Sequence, residues 1–117
     1  MSLSLWYYVN ILIQLCNGIL GMFFPLGFLS LWGQNWPLTP HVQAMLTWYG
    51  HANLVIAGFQ YFVTTLDAKS QARAGMINMM CAPFTIYACL MAETRGGLVF
   101  AIVDYALLAV LLFTSKK

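Results

Sequence analysis

Charged residues are scarce in this 117-residue sequence, in which aspartate, glutamate, lysine and arginine together make up 7% of the positions. Soluble domains of average composition carry about 25% charged residues. A water-soluble protein that is 62% hydrophobic would leave large apolar patches exposed and would aggregate through them. The shortage of charge therefore excludes an ordinary soluble globule and predicts that lipid surrounds most of the chain.

Basic clusters, paired cysteines and catalytic motifs are also missing. The five basic residues never form a run, which argues against nucleic acid as a partner. Cysteine occurs only as Cys16, Cys81 and Cys89, without a C-x-x-C pair, so neither a disulfide framework nor a metal site is predicted. G-x-S-x-G, H-E-x-x-H and glycine-rich phosphate-loop patterns are absent, and nothing in the residues indicates a particular cofactor.

A cleaved signal peptide is not expected, because no basic residue precedes Lys69 and the first apolar stretch is longer than a signal-peptide core. We interpret that stretch as the first span of the mature protein. The membrane that holds the chain cannot be named from these residues: the plasma membrane, the endoplasmic reticulum and an organelle inner membrane all remain open.

What the sequence does contain is four long apolar stretches. Each reaches or approaches the ~20 residues that a helix needs to cross hydrocarbon, and their continuity favours helices over a barrel. The predicted spans run from about Leu5 to Phe28, Pro40 to Thr65, Arg73 to Met91 and Leu98 to Thr114, that is 5–28, 40–65, 73–91 and 98–114. The predicted fold is an all-α integral membrane protein, a single domain over 1–117 built as a bundle of four antiparallel transmembrane helices with short loops.

Local signals refine these spans. Thr39 followed by Pro40 is typical of a helix N-cap and first helical position. Pro83 is expected to kink the third span. The second loop is predicted over residues 66–72 and the third turn over residues 93–97.

The basic residues predict an orientation. With four spans, Lys69, Arg73, Lys116 and Lys117 lie on one side of the membrane and only Arg95 lies on the other. By the positive-inside rule, both termini face the cytoplasmic, matrix or stromal side.

Polar side chains inside the spans are the candidate site. In the first span, Asn10, Gln14 and Asn17 are spaced i, i+4 and i+7, which places them on one helix face with Gly21 one turn further. That face is expected to point into the bundle. It can act as interhelical packing, with amides bonding to neighbouring helices, or as one wall of a polar cavity.

Asp104 lies in an otherwise apolar stretch, where a carboxylate costs about 3 kcal/mol on insertion scales. Counting residues from the outer surface puts Asp104, His51 and Asn17 at a similar depth, so we expect Asp104 to hydrogen-bond His51, either as a structural pin or as a proton relay or ligand anchor. A second polar layer is expected nearer the inner side. The candidate structural or ligand cluster comprises Asn10, Gln14, Asn17, His51, Gln60, Asn78 and Asp104.

Three functions remain open at this stage. The first is a non-catalytic accessory, assembly or scaffold subunit that packs against other membrane protein subunits, or against copies of itself, in the lipid bilayer. The second is a binder or carrier of a small hydrophobic ligand such as a lipid, sterol or quinone, in a cavity lined by Gln14, Asn17, His51 and Asp104. The third is a small membrane enzyme that uses Asp104 and His51 as an acid–base pair; no catalytic residue is assigned.

Overall fold

The chain is helical in a computed structural model that describes residues 2–115. The six helices are α1 (Leu3–Phe23), α2 (Pro25–Leu31), α3 (Pro40–Thr64), α4 (Ala68–Met80), α5 (Ala82–Met91) and α6 (Arg95–Ser115). The described residues contain no strand, which confirms the all-α prediction. Three stretches are long and apolar enough to cross a membrane: Leu3–Phe23, Ala68–Met91 and Arg95–Thr114. The fourth long helix, α3, is also long enough to cross a membrane, with 25 residues, but it is less apolar than these three stretches.

Side-chain caps set where the helices begin. Thr39 Oγ1 accepts the backbone N–H of Val42 at 3.2 Å, and Pro40 occupies the first turn, as the sequence predicted. Asp67 caps α4 by accepting the backbone N–H of Ser70 at 2.9 Å. Thr94 accepts the N–H of Gly97 at 3.0 Å at the start of α6. Because of the last two caps, the second loop and the third turn are shorter than predicted.

Two interruptions divide the predicted spans. The first predicted span, 5–28, is not one helix, because α1 ends at Phe23 and Pro25 begins α2. A proline lacks the N–H that would continue the helical ladder, so the chain restarts in a new direction there. The break expected at Pro83 lies at Cys81, between α4 and α5. The C-terminal end of α1 is therefore five residues earlier than the sequence suggested (Phe23 in place of Phe28).

Helix α1 contacts most of the other helices. Antiparallel α3 packs along it, α4 and α6 also contact it, and α5 packs on α6. Within the described residues, the backbone of α3 does not come close to that of α5 or α6. One apolar cluster closes the end of the molecule where α1 begins, and it contains Trp6, Tyr7, Leu108, Leu111 and Leu112. A second cluster at the opposite end contains Phe28, Leu29 and Leu46.

The close approach of α1 and α3 depends on glycines. A Cβ atom on Gly50 would lie 2.7 Å from the carbonyl oxygen of Gly18 and 3.0 Å from the backbone nitrogen of Met22. A Cβ on Gly21 would lie 3.0 Å from the carbonyl oxygen of Leu46. These backbone-to-backbone contacts leave no room for a side chain, and they fix the antiparallel register of the two helices.

The cap at Asp67 predicts a pH effect at the start of α4. Hydrogen bonds from Ser70, from its side chain first and then from its backbone N–H, lower the pKa of the Asp67 carboxyl below its usual value. The cap therefore contributes its full stability above the unfolded pKa of about 3.9, and this contribution is lost as the pH falls through the lower, folded pKa. The amide signal of Ser70, followed by NMR, should titrate with a midpoint below that of a free aspartate. Asp67→Asn keeps an oxygen acceptor and should abolish the titration; an unchanged titration in this variant would contradict the assignment.

Candidate functional site

Asp104 is bound to α1 by its side chain and by its backbone. One carboxylate oxygen, Oδ1, accepts a hydrogen bond from Asn10 Nδ2 at 3.0 Å. The same Nδ2 group donates to the backbone carbonyl of Trp6 at 3.0 Å. The Trp6 indole N–H in turn donates to the backbone carbonyl of Asp104 at 3.3 Å. The free-energy cost of placing the Asp104 carboxylate in an apolar span is thus offset by an amide donor from α1. This donor, Asn10, is itself buried.

Two glutamines lie in or near the interface of α1 with α3. Gln60 is 6% exposed and Gln14 is partly buried. In each, the carbonyl oxygen Oε1 is buried without a hydrogen-bond partner among the described residues. Asn53, on the same side of α3, differs from both because its amide donates to the backbone carbonyl of Tyr49 at 2.7 Å.

Asn17 belongs to a separate group nearer the C-terminal end of α1. Its carbonyl oxygen accepts the indole N–H of Trp32 at 3.0 Å, and the backbone carbonyl of Trp32 accepts the hydroxyl of Thr94 at 2.9 Å. The Trp32 ring also packs edge-on against Phe100, with ring centroids 5.7 Å apart. Trp32, at the end of α2, therefore connects α1 to the start of α6. Asn17 does not lie level with the Asp104 carboxylate.

The predicted hydrogen bond between Asp104 and His51 is not formed. His51 is exposed on α3, and its nearest ring is Trp48 on the same helix, with centroids 6.5 Å apart. The backbones of the two helices that carry the pair do not approach each other closely in the described part of the chain. The depth estimate failed because it treated 5–28 as one span; with α1 ending at Phe23, Asp104 lies level with Asn10 instead of Asn17.

Asn78 bonds within its own helix, where its amide donates to the carbonyl of Ala74 at 3.2 Å, and it lies beside the Tyr7 hydroxyl. Of the seven predicted residues, Asp104 and Asn10 are hydrogen-bonded to each other, Gln14 and Gln60 lie on α1 and α3, and the other three are located elsewhere. The cavity wall predicted from Gln14, Asn17, His51 and Asp104 is not assembled, and neither is the acid–base pair. The arrangement provides a fixed acceptor surrounded by amides, without a nucleophile next to a base.

Gln71 is a buried polar residue that the sequence analysis missed, because it was assigned to the second loop. Gln71 accepts a hydrogen bond from the Ser4 hydroxyl at 2.8 Å, and its own amide donates to the carbonyls of Leu66 at 3.0 Å and Thr64 at 3.3 Å. The Tyr7 hydroxyl donates to the Gln71 backbone carbonyl at 3.2 Å. Gln71 therefore connects α1, the end of α3 and α4. The Asp67 cap that places it on the first turn of α4 was the available signal.

Within residues 2–115, no group of three or more histidine, cysteine, aspartate or glutamate side chains could hold a metal ion. A cavity of about 330 Å³ lies at the end where α1 begins, and it includes Ser4 and Gln71. A shallow groove of about 490 Å³ lies on the outer face of α3, between Val55, Gly58, Phe59 and Phe62.

Comparison with protein-family models, curated proteins and solved structures gives no match. The interpretation of the site therefore depends on its own geometry. The two features that call for a function are the outward-facing polar and aromatic surface of α3 and the unpartnered carbonyls between α1 and α3.

Proposed function

We propose that this chain is a membrane protein with four antiparallel spans that serves as a non-catalytic accessory, assembly or scaffold subunit of a larger membrane complex. Its partners are other membrane protein subunits or further copies of itself. The single observation that carries the proposal is the exposed position of His51 in the middle of a long helix.

The fourth span is α3. It is 25 residues long, which corresponds to about 38 Å at the usual helical rise of ~1.5 Å per residue and exceeds the ~30 Å of a hydrocarbon core. Helix α1 is one of the three stretches with the length and composition of a span, and α3 runs antiparallel against it through Gly18, Gly21 and Gly50. A helix packed this closely along a membrane span passes through the same layer.

The proposed orientation places the start of α1 on the cytoplasmic, matrix or stromal side. The cavity between Ser4, Ala68 and Thr114 brings the start of α1, the start of α4 and the end of α6 to one end of the molecule. Lys69 and Arg73 belong to this end, and Arg95 belongs to the other. Lys116 and Lys117, which contribute to the same prediction, lie outside the described residues. The excess of basic residues supports this end as the inner one.

The outer face of α3 is suited to a protein partner. It presents His51 together with large aromatic side chains, including Trp48, which is 75% exposed, and Phe59, which is 68% exposed. In hydrocarbon, an ionisable side chain is costly unless it is paired or faces other helices. No side chain of α4, α5 or α6 hydrogen-bonds His51 within the described residues, so a second subunit would supply its hydrogen-bond partner.

His51→Leu is the variant that tests this function. We expect the wild-type chain in mild detergent to run in an assembly larger than its 13.1 kDa monomer, as measured by native mass spectrometry. Interhelical hydrogen bonds in membranes contribute about 1–2 kcal/mol, so His51→Leu should weaken the assembly roughly tenfold.

His41→Leu is the matched control, because His41 is also exposed on α3 but lies in its first turn, near the predicted membrane surface. It should leave the assembly unchanged. A wild-type chain that is monomeric in every mild detergent would contradict the proposed function. An assembly that is equally stable in both variants would contradict the role of the α3 face.

A further inference from the structure

The two unpartnered carbonyls belong to side chains on the neighbouring helices α1 and α3. Gly18 contacts Gly50 and Leu54, and the helices are antiparallel. About two turns from this contact toward the start of α1 lies Asn10, and about two turns from it toward the end of α3 lies Gln60. Asn10 is therefore level with Gln60. Gln14 is one turn from Asn10, a distance of about 5.4 Å that a glutamine side chain can span.

A buried carbonyl oxygen without a hydrogen-bond donor has a high free-energy cost. A buried acceptor without a donor loses its hydration without compensation, which is why the large majority of buried polar groups in proteins are hydrogen-bonded. Gln60 is 6% exposed, and its Oε1 atom is buried, as is that of Gln14. A membrane interior raises the cost further, since water from the bulk does not reach the interface.

The residues near the two glutamines are small or already hydrogen-bonded. Ala57, buried on α3 between Asn53 and Gln60, presents only a methyl group toward α1. The glycine crossing two turns away closes that side of the site. On the other side, the Asn10 amide already donates to the Asp104 carboxylate and to the Trp6 carbonyl, so it has no N–H group left for another acceptor.

We propose that a small ligand that accepts electron pairs is bound between α1 and α3 by the carbonyl oxygens of Gln14 and Gln60. Two sources share this chemistry: a water molecule, which donates one hydrogen bond to each oxygen, and a monovalent cation such as sodium. Water needs two to four polar partners, which the two carbonyls begin to supply. The ligand links α3 to the Asp104–Asn10 pair and extends a polar layer across α3, α1 and α6.

NMR on the full chain in detergent micelles, with labelled glutamine and asparagine side chains, tests the site directly. With water bound, the side-chain amide of Gln60 should show a cross-peak to a long-lived water, and Gln14→Met should remove it. With a cation bound, sodium should shift the Gln60 signals saturably, while choline at equal ionic strength should not. Asn53 is the matched control, because it is equally buried but already bonded to Tyr49, and it should show neither effect.

A stability cycle gives a second readout. If a ligand bridges the two oxygens, Gln14→Met and Gln60→Met should each lower the folding equilibrium constant about tenfold, and the double variant should lose little more than either single one. If the site is empty, each substitution removes an unpartnered oxygen, so both should raise the folding constant and their effects should add. Additive stabilisation, or the absence of both the water cross-peak and the sodium-dependent shift, would overturn the proposal.

Discussion

Gly50→Ala is expected to force α1 and α3 apart and to lower the free energy of unfolding by about 2–3 kcal/mol. The added Cβ atom would meet the carbonyl oxygen of Gly18 at 2.7 Å and the backbone nitrogen of Met22 at 3.0 Å. Both are backbone atoms, so neither can rotate away as a side chain could. Alanine also has a helix propensity that is more favourable than that of glycine by about 1 kcal/mol, and the expected loss is the net value after this gain.

Gly58→Ala provides the matched control on the same helix. Nothing lies within 4 Å of a Cβ atom at Gly58, so only the gain in helix propensity remains and the isolated monomer should become slightly more stable. Thermal unfolding in mild detergent, followed by circular dichroism, compares the two variants. Equal stability of Gly50→Ala and Gly58→Ala would mean that α1 and α3 do not cross at their glycines.

Asn10→Leu is expected to have the second large effect, a loss of about 2–3 kcal/mol, because a hydrogen bond to a charged group contributes ~1.5–3 kcal/mol. The substitution removes the amide donor that lies 3.0 Å from the Asp104 carboxylate. The carboxylate is then left in the span without its partner from α1. Adding Asp104→Leu should restore part of the loss, since the group that needed the donor is gone.

Asn53→Leu separates this effect from the general cost of replacing a buried asparagine. Asn53 is as buried as Asn10, but its amide bonds to the Tyr49 carbonyl one turn earlier in its own helix. Its replacement should cost less than about 1 kcal/mol, the typical net value of a neutral hydrogen bond. Unfolding in mixed micelles with increasing sodium dodecyl sulfate measures all three variants. A larger loss for Asn53→Leu than for Asn10→Leu would contradict the assigned role of Asn10.

The sequence was informative about where apolar helices begin, because those signals are local. The Thr39 cap followed by Pro40 places the start of α3 within a residue, and Pro83 correctly marks an interruption in the third stretch. The second loop was predicted to be longer than it is, because the polar residues at the start of α4 were taken as loop residues. Asp67 instead caps a helix whose first turn tolerates polar side chains, so α4 begins at Ala68.

The pairing of polar residues could not be obtained in the same way. Depth along a span depends on where each helix ends, and the restart of the chain at Pro25 moved the C-terminal end of α1 by more than a turn. Which helices are neighbours depends on contacts between residues distant in sequence, such as the glycines at 18 and 50. His51 was assigned an interior partner because a single sequence does not reveal that α3 lies at the edge of the molecule.

The position of α3 also has a consequence for biogenesis. Its main contacts are with α1, and every atom of the glycine crossing is supplied before residue 65 is synthesised. Since chains are inserted from the N-terminus onward, these two helices can associate as a hairpin while α4 to α6 are still being translated. In the proposed four-span arrangement, the later helices dock after this hairpin has formed, and the outward face of α3 that carries His51 stays available to a partner subunit throughout.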